Sequence, residues 1–377
     1  MTRAQKNIIY VLLFVIVILV GGIGYYAFQS YQLFASQPLG PALPFSAAEL
    51  PATWTPSPAT EVTSSGLVTL VPTISFPTNT PTAMCGGQNV MNILMVGADS
   101  RADSYLYGLA DAIRIVRVDF VTPKVTVLEF PRDLWVEIPH IEDNLNGQDH
   151  EKLNQAYLYG QRGFGYWDDP SAGPGLLALT LNLNFGVQTD HYVSVNMRTF
   201  EKVVNAVGGI DIHVPNKDIA DSTDLPIGNN HLNGAEALKV ARNRQEGTFG
   251  RADNQNIVFC ALRKKLTNPK VVTEIPELIE SFRDNILTDF TPAQIGQLAC
   301  LGTKLPPENI VFASFPHELF TQTRIYDPVF EKRVAIWDVD FNILRDYVAR
   351  FHAGTWPEPH IVVPSTTTEE ETEIVCE

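Results

Sequence analysis

A single apolar run near the N-terminus constrains the organisation of this chain more than any other feature. Residues 8–28 form a nearly unbroken apolar stretch, which is long enough to cross a bilayer as a transmembrane helix. Arg3 and Lys6 precede the stretch, and no further Lys or Arg follows until Arg101. A secretory signal peptide is the alternative interpretation, but its apolar core is usually shorter. The positive-inside rule therefore predicts a single-pass protein of the cell membrane, with residues 1–7 in the cytoplasm and the rest of the chain outside.

Two segments of biased composition flank the region that can fold. Residues 29–85 are rich in Pro, Ser, Thr and Ala, and such a composition buries too little apolar surface to order itself. We predict an extracellular linker there, with a reach of about 40 Å as a coil and on the order of 150 Å when extended. Residues 363–377 include the run TTTEEETE and are predicted to be a solvated acidic tail. The folded domain is therefore expected over residues 86–362.

The overall charge excludes one class of partner. The chain has 377 residues, of which 45% are hydrophobic, and a formal net charge of -15 at pH 7. The apolar content is ample for a packed core, but no basic field is available to bind a nucleic-acid backbone. We therefore expect no nucleic-acid partner.

Alternating strand and helix patterns predict a layered α/β domain. Apolar runs that are typical of buried strands lie at 90–96, 112–120, 124–130, 191–196, 210–214 and 310–313. Helical patterns lie at 174–183, 200–207, 233–242, 251–266, 275–282 and 292–301. This order of elements predicts an αβα arrangement, with helices on both faces of a mixed central sheet.

Two aspartates at the ends of predicted strands are candidates for a metal site. Asp99 follows the strand that ends near Gly97, and Asp111 opens the next strand. Carboxylates at neighbouring strand ends can share one Mg²⁺ ion, which takes its remaining ligands from water and a substrate phosphate. The alternative is that both residues only form turns.

Arginines near the same strands are candidates to bind phosphate, since a guanidinium group binds phosphate oxygens bidentately. The candidates are Arg101, Arg132, Arg242, Arg244 and Arg251. Lys152 can add a point charge beside them. The alternative is that these arginines cap helix ends and pair with Asp133 or Glu246. Carboxylates and arginines together indicate a protein that acts on a phosphorylated substrate.

The chain carries seven motifs whose order and spacing resemble those of one protein family. They are NILMVGADSR (92–101), LADAIRIV (109–116), VLEFPRDLWVEIP (127–139), EKLNQAY (151–157), DHYVSVN (190–196), VVNAVGGIDIHVP (203–215) and HLNGAEALKVARNRQEGTFGR (231–251). The chain resembles the LytR-CpsA-Psr family, whose members attach glycopolymers to the bacterial cell wall. The resemblance is strong over residues 90–265 and weak over 266–320.

The resemblance implies a Mg²⁺-dependent phosphotransferase that moves a glycopolymer from a polyprenyl-pyrophosphate carrier to peptidoglycan. It implies Asp99, Arg132 and Arg251 as catalytic residues, with Asp99 and Asp111 on the metal. It also implies an apolar pocket for the lipid, for which residues 185–195 and 200–207 are candidates. The partners would be the lipid-linked glycan, peptidoglycan and the lipid bilayer.

Two positions depart from the family pattern and keep other functions open. The family commonly has an acidic residue where this chain has Thr248, and an arginine where it has Asn254. Arg114 can supply the missing charge at Asn254, or it can lie on a surface-facing strand edge. A pyrophosphatase that uses water as the acceptor is one alternative function. A non-catalytic protein that binds lipid or cell wall is the other.

Four cysteines are consistent with an oxidising exterior. Cys85, Cys260, Cys300 and Cys376 match no zinc motif, and buried thiols are the alternative to disulfides. Cys85 and Cys376 flank the expected domain, and domain termini often lie close together. We therefore predict a Cys85–Cys376 bond, with Cys260 and Cys300 reduced or paired separately.

Overall fold

A computed structural model describes most of the expected domain and a short segment before it. The described residues are 20–22, 24–25, 28–44, 82–100, 108–142, 147–214, 217–243, 247–268 and 286–358. The predicted helix at 275–282 and the acidic tail lie outside these residues.

The described strands form a six-stranded mixed sheet and three two-stranded sheets. In chain order they are β1 (Val90–Ala98), β2 (Ala110–Asp119), β3 (Lys124–Glu129), β4 (Trp135–Glu137), β5 (His150–Lys152), β6 (His191–Asn196), β7 (Ile210–Val214), β8 (Gly228–Leu232), β9 (Ile286–Thr288), β10 (Ile310–Ala313), β11 (Thr321–Asp327) and β12 (Lys332–Asp338). The central sheet has the order β10-β3-β2-β1-β6-β9, in which β1 is antiparallel to β2 and parallel to β6. The predicted mixed sheet is therefore confirmed.

The described helices pack on the two faces of the central sheet and beside the β7–β8 sheet. They are α1 (Leu153–Tyr159), α2 (Ala172–Phe185), α3 (Met197–Ala206), α4 (Lys217–Thr223), α5 (Gly234–Ala241), α6 (Gly247–Leu266), α7 (Pro292–Lys304) and α8 (Phe341–Ala353). One face is covered by α1, α2 and α8, and the other by α6 and α7. Because both faces of the sheet are covered, the sequence of β1 is a continuous apolar run. Leu94 and Val96 pack in the core on one face, and Met91 and Ile93 pack in the core on the other.

Local sequence signals explain where two of these helices begin. Asn233 caps α5 and Thr291 caps α7, each through its side-chain oxygen and the backbone N–H three residues later. Glu236 and Gln294 complete the two capping boxes by accepting from the backbone N–H of the cap residue. The predicted starts of both helices are confirmed.

The β11–β12 hairpin was not predicted and is held against the short β4–β5 sheet. Its base is attached where the Trp337 backbone N–H donates to the Asp133 carbonyl oxygen at 3.2 Å. Asp327 and Glu151 are both buried and interact as a carboxyl pair. Burial, with the Asp327 charge, raises the pKa of Glu151 to about 8.

The chain before the domain makes contacts that its composition did not predict. Residues 28–36 are helical, and the Leu39 backbone N–H then donates to the Phe290 carbonyl oxygen at 2.9 Å. The Tyr192 hydroxyl donates to the Pro41 carbonyl oxygen at 3.0 Å, and Leu43 packs against the core. Leu39 and Leu43, which lie between the prolines, are therefore partly buried on the domain.

The predicted Cys85–Cys376 bond is wrong, because Cys85 is bonded to Cys300. Cys300 lies on α7, and the short 3-10 turn that contains Cys85 is held against this helix: the Gln297 side chain donates to the Gly86 carbonyl oxygen at 2.8 Å. Cys260 is also disulfide-bonded, and the described part of the chain contains no free cysteine. Contacts between elements, and not proximity of the termini, decided the pairing.

No helix among the described residues is long and apolar enough to cross a membrane. Most of the predicted span at 8–28 lies outside those residues.

Candidate active site

The candidate site lies at the ends of two interior strands of the central sheet, where β1 ends and β2 begins. The two strands are antiparallel, and their register shifts at a β-bulge between Gly97 and Ala98. Bulges re-aim the residues that follow them. The Phe130 backbone N–H donates to the Ile113 carbonyl oxygen at 2.9 Å, which brings the chain after β3 to the same end of the sheet. Residues from three separate segments therefore meet here.

Asp99 is half-buried and forms hydrogen bonds with Leu109, just before β2 begins. Its Oδ1 accepts from the Leu109 backbone N–H at 2.7 Å, and its own backbone N–H donates to the Leu109 carbonyl oxygen at 2.9 Å. Through this pair of hydrogen bonds Asp99 stabilises the turn, which is the alternative role that the sequence allowed for it. It engages only one of the two carboxylate oxygens, so the other can take part in chemistry.

A line of alternating charges runs from Asp111 to Lys152. The Arg132 guanidinium forms an ion pair with Asp111, and its Nε lies 3.3 Å from Asp133 Oδ2. Lys152 Nζ lies 2.9 Å from the other oxygen of Asp133. Burial alone would lower the pKa of Arg132, but Asp111 and Asp133 outweigh burial and raise it above its ordinary value. Arg132 is therefore a fixed positive charge whose orientation is set from both sides.

Arg251 also contacts Asp111. It lies on α6, has only 4% of its surface exposed, and donates from Nη2 to the Asp111 carbonyl oxygen at 3.0 Å. Asp111 thus contacts both arginines, one through its carboxylate and one through its backbone. Two guanidinium groups that converge on one residue can bind a ligand with two adjacent phosphates.

A largely apolar cavity of about 340 Å³ opens beside these groups. It lies between the sheet and helices α3, α5 and α6, and its apolar walls include Met95, Val195, Phe200, Val203, Leu238, Val258, Phe259, Leu262 and Ile286. Polar groups on its lining are Asp111, Arg114, Asn196, Arg242, Arg251 and Gln255. A cavity of this composition can accept a hydrocarbon chain with an anionic head at the arginines.

A model of the LytR_cpsA_psr family matches residues 74–335 of the chain. The chain belongs to this family. The match contains all of the site residues described above.

Two relatives with similar sequences support the assignment to this family. The chain is 30% identical over 213 residues to "Regulatory protein MsrR" of Staphylococcus aureus (strain COL), covering 55% of this chain and 58% of that protein. It is 29% identical over 205 residues to "Polyisoprenyl-teichoic acid--peptidoglycan teichoic acid transferase TagU" of Oceanobacillus iheyensis, covering 54% and 59%. The match therefore spans less than two thirds of the length of these relatives.

Solved structures show the same fold. Bacillus subtilis TagV superposes with a TM-score of 0.53 at 24% identity, covering 71% of this chain and 98% of that one. TagT bound to LIIa-WTA superposes with a TM-score of 0.54 at 20% identity, covering 71% and 91%. At these identities the likeness establishes the LytR_cpsA_psr fold and nothing further.

The structure brings together some of the residues predicted for the site. Asp111, Arg132 and Arg251 meet directly, and Lys152 joins them through Asp133. Arg242 is exposed at the end of α5 and lines the cavity. The predicted residues Arg101 and Arg244, and the side chain of Thr248, lie outside the described residues.

Arg114 does not lie on a surface-facing strand edge. It is only 3% exposed on the interior strand β2, and its guanidinium pairs with Glu129 at 2.8 Å. It also donates to Gln255 Oε1 at 3.2 Å and to the Ala252 carbonyl oxygen at 3.3 Å. These partners satisfy a buried charge that would otherwise be costly. Arg114 therefore joins β2 to α6 on the cavity lining.

Of the segments predicted to line an apolar pocket, 200–207 and the end of 185–195 contribute residues to the cavity, whereas Phe185 does not. Phe200 and Val203 line the cavity, as does Val195. Phe185 instead is buried in the core on the opposite face of the sheet. The cavity walls supplied by α5 and α6 were missed, because apolar residues that line a cavity and those that fill a core have the same helical spacing.

Proposed function

We propose that this protein is a Mg²⁺-dependent phosphotransferase that moves a glycopolymer from a polyprenyl-pyrophosphate carrier to peptidoglycan. The observation that carries the proposal is that Arg132 and Arg251 both contact Asp111, and that Asp111 and Arg251 line an apolar cavity. A lipid chain in the cavity would place its pyrophosphate beside both guanidinium groups. The transferase name of the TagU relative supports the same class of reaction.

The proposed step exchanges one phosphorus–oxygen bond for another. A sugar hydroxyl of peptidoglycan attacks the phosphorus that carries the glycan, and the bond from that phosphorus to the polyprenyl phosphate breaks. A phosphodiester forms, and polyprenyl phosphate leaves. Arg132 and Arg251 stabilise the charge that develops on the leaving phosphate. Asp99, whose second carboxylate oxygen is not used in its hydrogen bond with Leu109, accepts the proton of the hydroxyl.

The carboxylates of Asp99 and Asp111 would hold the ion. Two protein ligands suffice for Mg²⁺, because the ion keeps several waters and takes oxygens from substrate phosphates. Within the described residues, no group of three or more His, Cys, Asp or Glu side chains is placed to hold a metal ion. The ion is therefore expected to bind together with the pyrophosphate, and it would neutralise part of the phosphate charge.

The function is tested by incubating the full-length protein with a polyprenyl-pyrophosphate-linked glycan, Mg²⁺ and peptidoglycan oligomers. We expect a phosphodiester-linked glycan on the oligomer, detected by mass spectrometry, and free polyprenyl phosphate. Release of the glycan as a free phosphate would instead identify a pyrophosphatase. Binding of the donor without turnover would identify a non-catalytic protein, and either result would overturn the proposal.

Asp99→Asn is expected to abolish Mg²⁺-dependent transfer while changing the free energy of unfolding by less than about 1 kcal/mol. The asparagine carbonyl oxygen can still accept from the Leu109 N–H, so this hydrogen bond survives while the negative charge is lost. Transfer rate against Mg²⁺ concentration and thermal unfolding are measured on the same sample. Asp111→Asn is a less clean variant because it also breaks the ion pair to Arg132. Full activity of Asp99→Asn would remove this residue from the site.

We also propose that the protein is anchored in the cell membrane by residues 8–28, with the domain outside. Arg3 and Lys6 before the apolar run support this orientation. Protease added to intact spheroplasts is then expected to digest the domain, while an epitope tag fused to the N-terminus survives until the membrane is lysed. Protection of the domain in intact spheroplasts would contradict the proposed topology.

A further inference from the structure

The β11–β12 hairpin is attached beside the charged residues of the site. At its base, Trp337 donates to the carbonyl oxygen of Asp133, whose side chain holds both Arg132 and Lys152. Near its turn, Asp327 interacts with Glu151, the residue next to Lys152. Both attachments are made to the two segments that orient Arg132. The hairpin is therefore a neighbour of the site and not a remote appendage.

One face of this hairpin carries exposed cationic and aromatic side chains. Tyr326 on β11 pairs with Arg333 on β12, and Arg324 on β11 pairs with Ala335, so these side chains point to the same side. The Arg333 guanidinium donates to the Arg324 carbonyl oxygen at 2.7 Å, which holds the two arginines together. Tyr326 is 55% exposed. We call Arg324, Tyr326 and Arg333 the cationic hairpin face.

The charge of this face contrasts with that of the chain. The whole sequence has a formal net charge of -15, yet neither Arg324 nor Arg333 forms an ion pair within the part of the chain that the structure describes. Beside the face, Lys332 lies 5.1 Å from the centre of the exposed Phe330 ring. Exposed guanidinium groups attract phosphates, and aromatic rings provide flat, amphipathic surfaces for packing.

We propose that the cationic hairpin face binds the phosphate-containing glycan part of the substrate. The face would hold repeat units of an anionic glycopolymer that extend from the site, with phosphates on the two arginines and a sugar or polyol on Tyr326. This inference rests on the proposed function for the source of the glycan, but the binding chemistry is independent of turnover.

A glycan fits this surface better than a membrane. Thr321, Gln322 and Thr323 are exposed on the same hairpin, whereas a segment that inserts into a bilayer interface needs a continuous apolar side. The chain that leads toward the predicted anchor docks elsewhere, where Leu39 contacts Phe290. The hairpin also lies beside the pyrophosphate-binding residues, from which a lipid-linked glycan must emerge.

The first test measures binding without turnover. Full-length protein is titrated calorimetrically with soluble poly(glycerol phosphate) oligomers and, separately, with a neutral glucan oligomer. We expect Arg324→Ala/Arg333→Ala to weaken binding of the phosphate polymer about tenfold, which corresponds to about 1.4 kcal/mol. The control is Lys264→Ala/Lys304→Ala, which makes the same charge change at two exposed positions on α6 and α7 and should bind like the wild type.

Several outcomes would overturn the proposal. Equal loss of affinity in both double variants would show only a general charge effect. No loss in Arg324→Ala/Arg333→Ala, at an unchanged melting temperature, would exclude the face. Loss of binding to anionic phospholipid vesicles with unchanged binding of the polymer would identify a membrane contact. Arg324→Lys/Arg333→Lys keeps the charge, so retained polymer binding is expected from it.

A second test separates this proposal from the proposed function. Transfer is measured with two lipid donors that share one polyprenyl-pyrophosphate disaccharide and differ only in the presence of phosphodiester repeats. We expect Arg324→Ala/Arg333→Ala to raise KM about tenfold for the long donor, which corresponds to about 1.4 kcal/mol, and to leave KM for the short donor within twofold. Equal effects on both donors would contradict the hairpin proposal. Absence of transfer from either donor by the wild type would instead contradict the proposed function, and the calorimetric test would still decide the hairpin.

Discussion

Arg132→Ala is expected to lower the rate of glycan transfer by about two to three orders of magnitude, as is typical when one group that stabilises transition-state charge is removed. The structure changes what this variant should do to stability. Two arginines that converged without carboxylate partners would repel each other, so removing one of them would leave folding unchanged or improve it. Asp111 and Asp133 instead neutralise Arg132. We therefore expect a loss of about 1 kcal/mol in the free energy of unfolding, because these ion pairs are only partly buried.

Two further variants separate a role in catalysis from a role in packing. Arg132→Lys keeps the positive charge beside Asp111 and Asp133 but loses the planar, bidentate group. It should unfold at close to the wild-type temperature and still lose most of its transfer rate. Arg350→Ala is the matched control, since Arg350 forms a surface ion pair with Asp346 at 3.0 Å far along the chain from the site. Reduced stability of Arg132→Ala with intact donor affinity would place Arg132 outside the active site.

Removing the Cys85–Cys300 bond is expected to have the largest effect on stability. The bond joins residues separated by 215 positions, and closing a loop of that length stabilises by about 5 kcal/mol in the chain-entropy model. Cys85→Ser/Cys300→Ser should therefore unfold at a much lower denaturant concentration than the wild type. The serines avoid the free thiols that a single variant would leave.

The control for this experiment is the reduced wild-type protein. Reduction also opens the bond that contains Cys260, so the reduced wild type should be at least as unstable as the double variant under oxidising conditions. Peptide mapping without reducing agent should recover Cys85 linked to Cys300. A Cys85–Cys376 peptide, or a double variant as stable as the wild type, would refute the pairing.

Repetitive, local signals in the sequence predicted much of the fold. The apolar runs correctly predicted strands β1, β2 and β3, because a strand covered on both faces needs apolar residues at successive positions. The starts of α5 and α7 were predicted correctly, because each capping box is complete within four residues of the sequence. The β11–β12 hairpin was missed because most of its residues are exposed, so no apolar alternation marks it.

The sequence by itself determined which residue types the site would contain, because the family motifs carry Asp111, Arg132 and Arg251 in order. Only the tertiary structure decided how they combine: that Asp111 contacts both arginines, that Asp133 links Arg132 to Lys152, and that Cys85 reaches Cys300. The physical reason is the range of the interactions. Propensity, capping and strand patterning act between residues a few positions apart, whereas the ion pairs, the cavity and the disulfide depend on packing between elements that are distant in the chain.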